Sequence, residues 1–93
     1  MPSYLVERYL PGLSADEVQA AVQRLRVVSE QMTAEGTMIR YLSSAYLAEE
    51  ESCFCQLQAP SRQAVAAANE RAAFPFARIH AVRLRREEPH EEH

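Results

Sequence analysis

Hydrophobic and polar positions change period several times along this chain, and each change marks an element. Residues 4–10, YLVERYL, alternate and are rich in aromatic and β-branched types, which predicts a strand. Pro11 and Gly12 end it. Ser14 then stands three residues before Glu17, the spacing at which each side chain satisfies a free amide of a helix's first turn. Val18, Val22, Leu25, Val28 and Met32 follow at steps of three and four, the apolar face of an amphipathic helix over 14–34. Gly36, just past the last periodic residue, suits a left-handed C-cap.

A second strand is predicted over 37–46 and a third over 52–59, joined by the short polar AEEES segment that an antiparallel hairpin needs. Pro60 stops the third strand and Ser61 caps a second helix over 61–73, whose alanine-rich inner face allows close approach to whatever it covers. Phe74-Pro75 breaks that helix, because a residue before proline is pushed out of helical geometry. A last strand is predicted over 76–85. The order β-α-β-β-α-β, with two right-handed crossovers, gives an α+β ferredoxin-like sandwich: a four-stranded antiparallel sheet with both helices on one face. Residues 1–86 form that single domain, and 87–93 form an acidic, histidine-containing tail of disordered composition.

Sorting the strands by period two separates the faces. Tyr4, Val6 and Arg8 share one side of the first strand, and Leu5, Glu7 and Tyr9 the other. In the third strand Cys53, Cys55 and Leu57 form the more uniformly apolar set and belong under the helices. Ala77, Ile79 and Ala81 are small enough to lie there too, which assigns Arg78, His80 and Val82 to the open face. That open face is then mixed, with Leu5, Tyr9, Phe54 and Val82 among Glu7, Gln56 and His80. It fits a dimer interface or a ligand-binding floor, and apolar groups there favour covering by a second copy.

Composition narrows the partners. The net charge of -3 argues against nucleic acid, and the basic run RLRR (83–86) is followed at once by four glutamates in EEPHEEH. No apolar run approaches the ~20 residues that span a bilayer. The opening MPSYLVERYL lacks the basic, then apolar, pattern of a secretory signal, so a cytoplasmic location with reduced thiols is expected. Nothing resembles a nucleophile elbow, a P-loop, a dinucleotide fingerprint or a zinc-finger spacing, and two glycines exclude most phosphate-cradling loops.

Three groups of residues are candidates for chemistry. Cys53 and Cys55, two apart on a strand, place their Cα atoms roughly 6.5 to 7 Å apart, at the outer limit for a disulfide. Their predicted surroundings offer no further metal ligands, so they read as small buried hydrophobes. His80 sits mid-strand on the open face beside the strand that carries Glu7. An imidazole and a carboxylate so placed can ligate a divalent metal or form an acid–base pair, and they fit equally a polar contact bridging two copies. His90 and His93 form His-x-x-His in the acidic tail, where nothing pre-organises them.

YLVERYLPGLS, YLSSAYLAEEESCFCQLQAPS and VAAANERAAFPFARI occur in that order. Together they resemble a bacterial family of small ferredoxin-like proteins typified by a nickel-responsive, nickel-binding protein of soil actinomycetes. The resemblance runs from Tyr4 to about Val82. It implies the ferredoxin-like fold, a homodimer, possible nickel binding and no catalytic reaction. Its ligand set does not transfer residue by residue, and His80 is the single histidine of the folded part. Nickel would then be held by His80 with carboxylates and water, or shared across the dimer.

The expected function is thus a non-catalytic, cytoplasmic, homodimeric protein that binds nickel at His80 and Glu7 and pairs through the open sheet face. The alternative is an enzyme or small-molecule binder of the dimeric α+β-barrel type, with Glu7 and His80 as acid–base groups. A deep pocket lined by Tyr9, Phe54 and His80 would favour the enzyme. A shallow, solvent-facing histidine–carboxylate cluster would favour the metal.

Overall fold

The computed structural model describes residues 1–83. Strands β1 (Ser3–Tyr9), β2 (Arg40–Leu47), β3 (Ser52–Gln58) and β4 (Arg78–Val82) alternate with helices α1 (Ala15–Ala34) and α2 (Arg62–Arg71) in the predicted β-α-β-β-α-β order. The sheet runs β2-β3-β1-β4, every neighbour antiparallel. This is the ferredoxin-like α+β sandwich.

Local chemistry accounts for the element ends. Ser14 and Glu17 complete a capping box: the Glu17 amide donates to Ser14 Oγ at 3.1 Å and the Ser14 amide to Glu17 Oε1 at 2.8 Å. At the other end of α1 the Thr37 amide donates to the Met32 carbonyl at 2.9 Å and the Gly36 amide to the Thr33 carbonyl at 3.1 Å. That pair of bonds is a Schellman cap, with Gly36 in the positive-φ position at 109°. α2 stops by the same device. The Phe74 amide reaches the Asn69 carbonyl and the Ala73 amide the Glu70 carbonyl, both at 3.0 Å. Here the left-handed residue is Ala73, at φ 53°. The helix therefore ends on its own hydrogen bonds two residues before the Phe74-Pro75 step.

β2 begins three residues later than the pattern predicts. The Thr33 hydroxyl takes both backbone groups of Ile39, each at 3.0 Å, so the segment before Arg40 is tied to the end of α1. A bulge between Tyr41 and Ser43 then resets the register, leaving Tyr41, Ser44 and Tyr46 on the helix side. The turn from β2 to β3 is a single 3-10 turn, Ala48–Glu50, closed by Glu51 in the left-handed region.

The core lies between the sheet and the helices. Val6, Leu25, Cys53, Cys55, Leu57, Val65 and Ala68 are all fully buried there. The face assignment of β4 needs one correction. Ile79, opposite Val6, packs against the core, but Ala77 and Ala81 are exposed. β4 is an edge strand of five residues, and Ala77 precedes it. The predicted strand end at 84–85 and the tail 87–93 with His90 and His93 lie outside the described residues.

Candidate functional site

The period-two alternation of β1 sends Glu7 to the open face, and the antiparallel register fixes what it meets. Glu7 stands opposite Arg78 on β4 and opposite Phe54 on β3, while His80 stands opposite Leu5. Glu7 and His80 are therefore diagonal neighbours, a spacing that long side chains span. His80 Nε2 and Glu7 Oε1 lie 2.8 Å apart. The Arg78 guanidinium approaches the same oxygen, with Nε at 3.6 Å. The imidazole and carboxylate are 41% and 34% exposed, so the pair is open to solvent on the single chain.

Around this pair the face is mixed, as the alternation indicated. Leu5, Phe54, Gln56 and Val82 are half-buried, and Tyr9 is 61% exposed. β2 adds Ser43, whose hydroxyl donates to Gln56 Oε1 at 3.0 Å, and exposed Ala45 and Leu47. Tyr9, Phe54 and the solvent-facing imidazole–carboxylate pair thus share one face of the sheet. No group of three or more His, Cys, Asp or Glu side chains converges on a metal position among the described residues. Among the described residues, one chain brings two donors together here.

The family model described as nickel responsive protein SCO4226-like matches residues 4–82. The chain belongs to the SCO4226-like family. Among solved structures it is similar to SCO4226 from Streptomyces coelicolor A3(2), at 20% identity and a TM-score of 0.76, over 90% of this chain and 99% of that one. At that identity the likeness establishes the fold. No curated protein matches the chain. Among the described residues of this SCO4226-like chain, no helix is long and apolar enough to cross a membrane.

On the opposite face Cys53 and Cys55 are buried and free, as their alternation predicted. Sequence reasoning placed Arg8 on that face and stopped there. Arg8 is 1% exposed, and its guanidinium stacks on the Phe74 ring at 3.5 Å from the centroid and donates from Nη1 to the Phe74 and Pro75 carbonyls at 3.2 and 3.3 Å. The available signal was an arginine in phase with Tyr4 and Val6 on a strand whose other charge, Glu7, points outward.

Proposed function

We propose that the protein is a homodimer that binds a divalent transition metal, nickel foremost, at the Glu7–His80 pair on the open face of the sheet. The observation that carries this reading is the 2.8 Å approach of an imidazole nitrogen and a carboxylate oxygen on adjacent strands, in a chain whose family is described as nickel responsive. Neutral imidazole with carboxylate suits nickel better than magnesium or calcium, which take oxygen ligands. Strands hold such donors in place.

Two donors leave most of a coordination sphere to water and to a second copy. The dimer joins open faces, because Leu5, Phe54, Val82 and Tyr9 place apolar surface there that water disfavours by roughly 25 cal/mol per Å². Arg78 competes with the metal for Glu7, so a bound ion draws the carboxylate away from the guanidinium.

Elemental analysis of untagged protein, followed by titration calorimetry with nickel, tests the reading. His80→Ala should weaken binding by about tenfold or more, Glu7→Gln should weaken it too, and deletion of 87–93 should leave it unchanged. Unchanged affinity in His80→Ala with loss on tail deletion would move the metal to His90 and His93. A sharp monomer mass by light scattering at micromolar concentration would remove the dimer.

A further inference from the structure

The helix-covered face of the sheet holds a charge that nickel binding does not use. The Arg8 guanidinium is buried, yet its Nε and Nη2 have no hydrogen-bond partner. No carboxylate pairs with it among the described residues. Guanidinium does not lose its proton in a protein, and a buried cation left uncompensated is costly. The Phe74 ring and two carbonyls meet part of that charge, and Nε and Nη2 are left over.

Two thiols stand beside it. Cys53 is the direct cross-strand partner of Arg8, and Cys55 follows on the same face opposite Val6. Both cysteines are fully buried, so a reagent reaches sulfur only when the wall between α1 and β2 opens locally. The Ser44 hydroxyl donates to Cys55 Sγ at 3.0 Å. Ser44 also meets the Tyr41 hydroxyl, so a chain of hydrogen-bonding groups runs from the thiols to the surface. Beside them a cavity of about 320 Å³ opens between α1 and β2, with Val18, Val22, Tyr41, Ser44, Tyr46 and Cys53 in its wall. A water molecule occupies about 30 Å³ of liquid, so a small hydroperoxide fits.

We propose that Cys53, Cys55 and Arg8 form a reactive thiol site: the two sulfurs share one proton, the thiolate neutralises the buried guanidinium, and a hydroperoxide entering between α1 and β2 oxidises one sulfur to a sulfenic acid. Electrostatics agrees with the geometry. The hydrogen bond from Cys53, with Arg8 and Ser44, outweighs burial and lowers the Cys55 pKa to about 6. The same hydrogen bond, with burial, keeps the second proton within the pair. Interacting sites titrate as a pair, so the charge can pass to Cys53 at the cavity wall. The other ionisable groups facing the site are Tyr41 and Tyr46 from β2 and Arg26 from α1, whose guanidinium lies over the Tyr41 ring at 5.6 Å. No carboxylate lines this cavity among the described residues, and cationic surroundings oppose a metal dication while favouring a thiolate.

The step balances within the site and its oxidant. The thiolate sulfur attacks one peroxide oxygen, an S–O bond forms and the O–O bond breaks. The departing oxygen leaves as hydroxide or alkoxide and takes the proton of the other thiol. Water or an alcohol departs, one sulfur has lost two electrons to the peroxide, and the negative charge beside Arg8 is kept as the second sulfur's thiolate. Closure to a disulfide is opposed by the strand spacing, roughly 6.5 to 7 Å between Cα atoms, so the sulfenic acid is the end point.

The test exposes the full native chain to hydrogen peroxide across pH 5 to 9, traps sulfenic acid with dimedone and maps the adduct by mass spectrometry. One adduct per chain should appear on the peptide holding Cys53 and Cys55, formed at pH 7 about tenfold faster than on free cysteine. The rate should level off above about pH 7, whereas an ordinary thiol keeps gaining to about pH 8.5. Arg8→Met should lose part of the pH 7 advantage and move the plateau to higher pH, and Arg8→Lys should keep most of it. If Arg8→Met does not fold, the pH profile of the native chain and Arg8→Lys decide the matter. A native rate no faster than free cysteine, a profile rising to pH 8.5, or disulfide in place of adduct would overturn the proposal.

Discussion

Replacing Phe74 by leucine isolates what one ring does for the buried arginine. Phe74 is 1% exposed and its ring centroid lies 3.5 Å from the Arg8 guanidinium carbon. Leucine keeps the site apolar, so the change of shape costs about 1 kcal/mol. A cation–π contact in a desolvated setting contributes about 2 kcal/mol, and leucine removes it. Phe74→Leu should therefore destabilise by about 2 to 3 kcal/mol, a large part of the roughly 5 to 15 kcal/mol that holds a domain together. In an Arg8→Met background the guanidinium is already gone and only the shape cost remains. The coupling between the two sites should then be about 1 to 2 kcal/mol. Urea unfolding of all four proteins, followed by far-UV circular dichroism at one pH with reductant present, measures it. A coupling below about 0.5 kcal/mol, the range of independent sites, would refute the reasoning and leave ring and guanidinium as mere neighbours.

Other expectations follow from the caps and the thiols. Ala73→Gly should stabilise by up to about 1 kcal/mol, since an L-residue in the left-handed region is strained and glycine is not; a lower denaturation midpoint would contradict the cap assignment. Ser14→Ala should cost about 1 kcal/mol in the same assay by opening the capping box. The Cys55 thiol is lowered to about 6 in the fold from 9.0, so its contribution to stability is fully present above pH 9 and is lost as pH falls through 6. The Cys53 thiol is raised, so above pH 9 the unfolded chain ionises where the fold resists and stability declines again. Unfolding free energies at intervals from pH 5 to 10 should thus peak near pH 9, and Cys53→Ala/Cys55→Ala should flatten the curve while lowering its maximum.

Much of the fold was legible because local signals agreed with one another. Ser14 with Glu17, the run from Val18 to Met32, and Gly36 each describe the same helix, and the hydrogen bonds bear out all three. The Glu7–His80 approach was legible as well, because the crossover topology makes the first and last strands neighbours and alternation places both side chains outward. Other features depended on long-range geometry. The late start of β2 arises from one threonine hydroxyl capturing Ile39, which periodicity does not report. The exposure of Ala77 and Ala81 belongs to the edge of the sheet, which alternation along one strand does not report. The meeting of Arg8 with Cys53 requires the register of β1 against β3, and a shift of one residue would have sent the thiols to the opposite face.

The segment after α2 is held in an unusual way. Arg24 of α1 donates to the carbonyls of Ala72 and Ala73, at 2.8 and 3.2 Å, and Arg8 to those of Phe74 and Pro75. Four consecutive peptide oxygens are thus gripped by two side chains from other elements. Every residue type offers a carbonyl oxygen, so this grip is blind to the side chains at Ala73 and Pro75. Evolution can rewrite Pro75 while the loop keeps its path, provided both arginines stay, whereas Ala73 is still bound by its left-handed backbone. Drift at Arg24 or Arg8 would loosen the loop beyond the hydrogen bonds of its own cap. Within the lineage of this chain, constancy should therefore be sought in the two distant arginines before it is sought in the loop they hold.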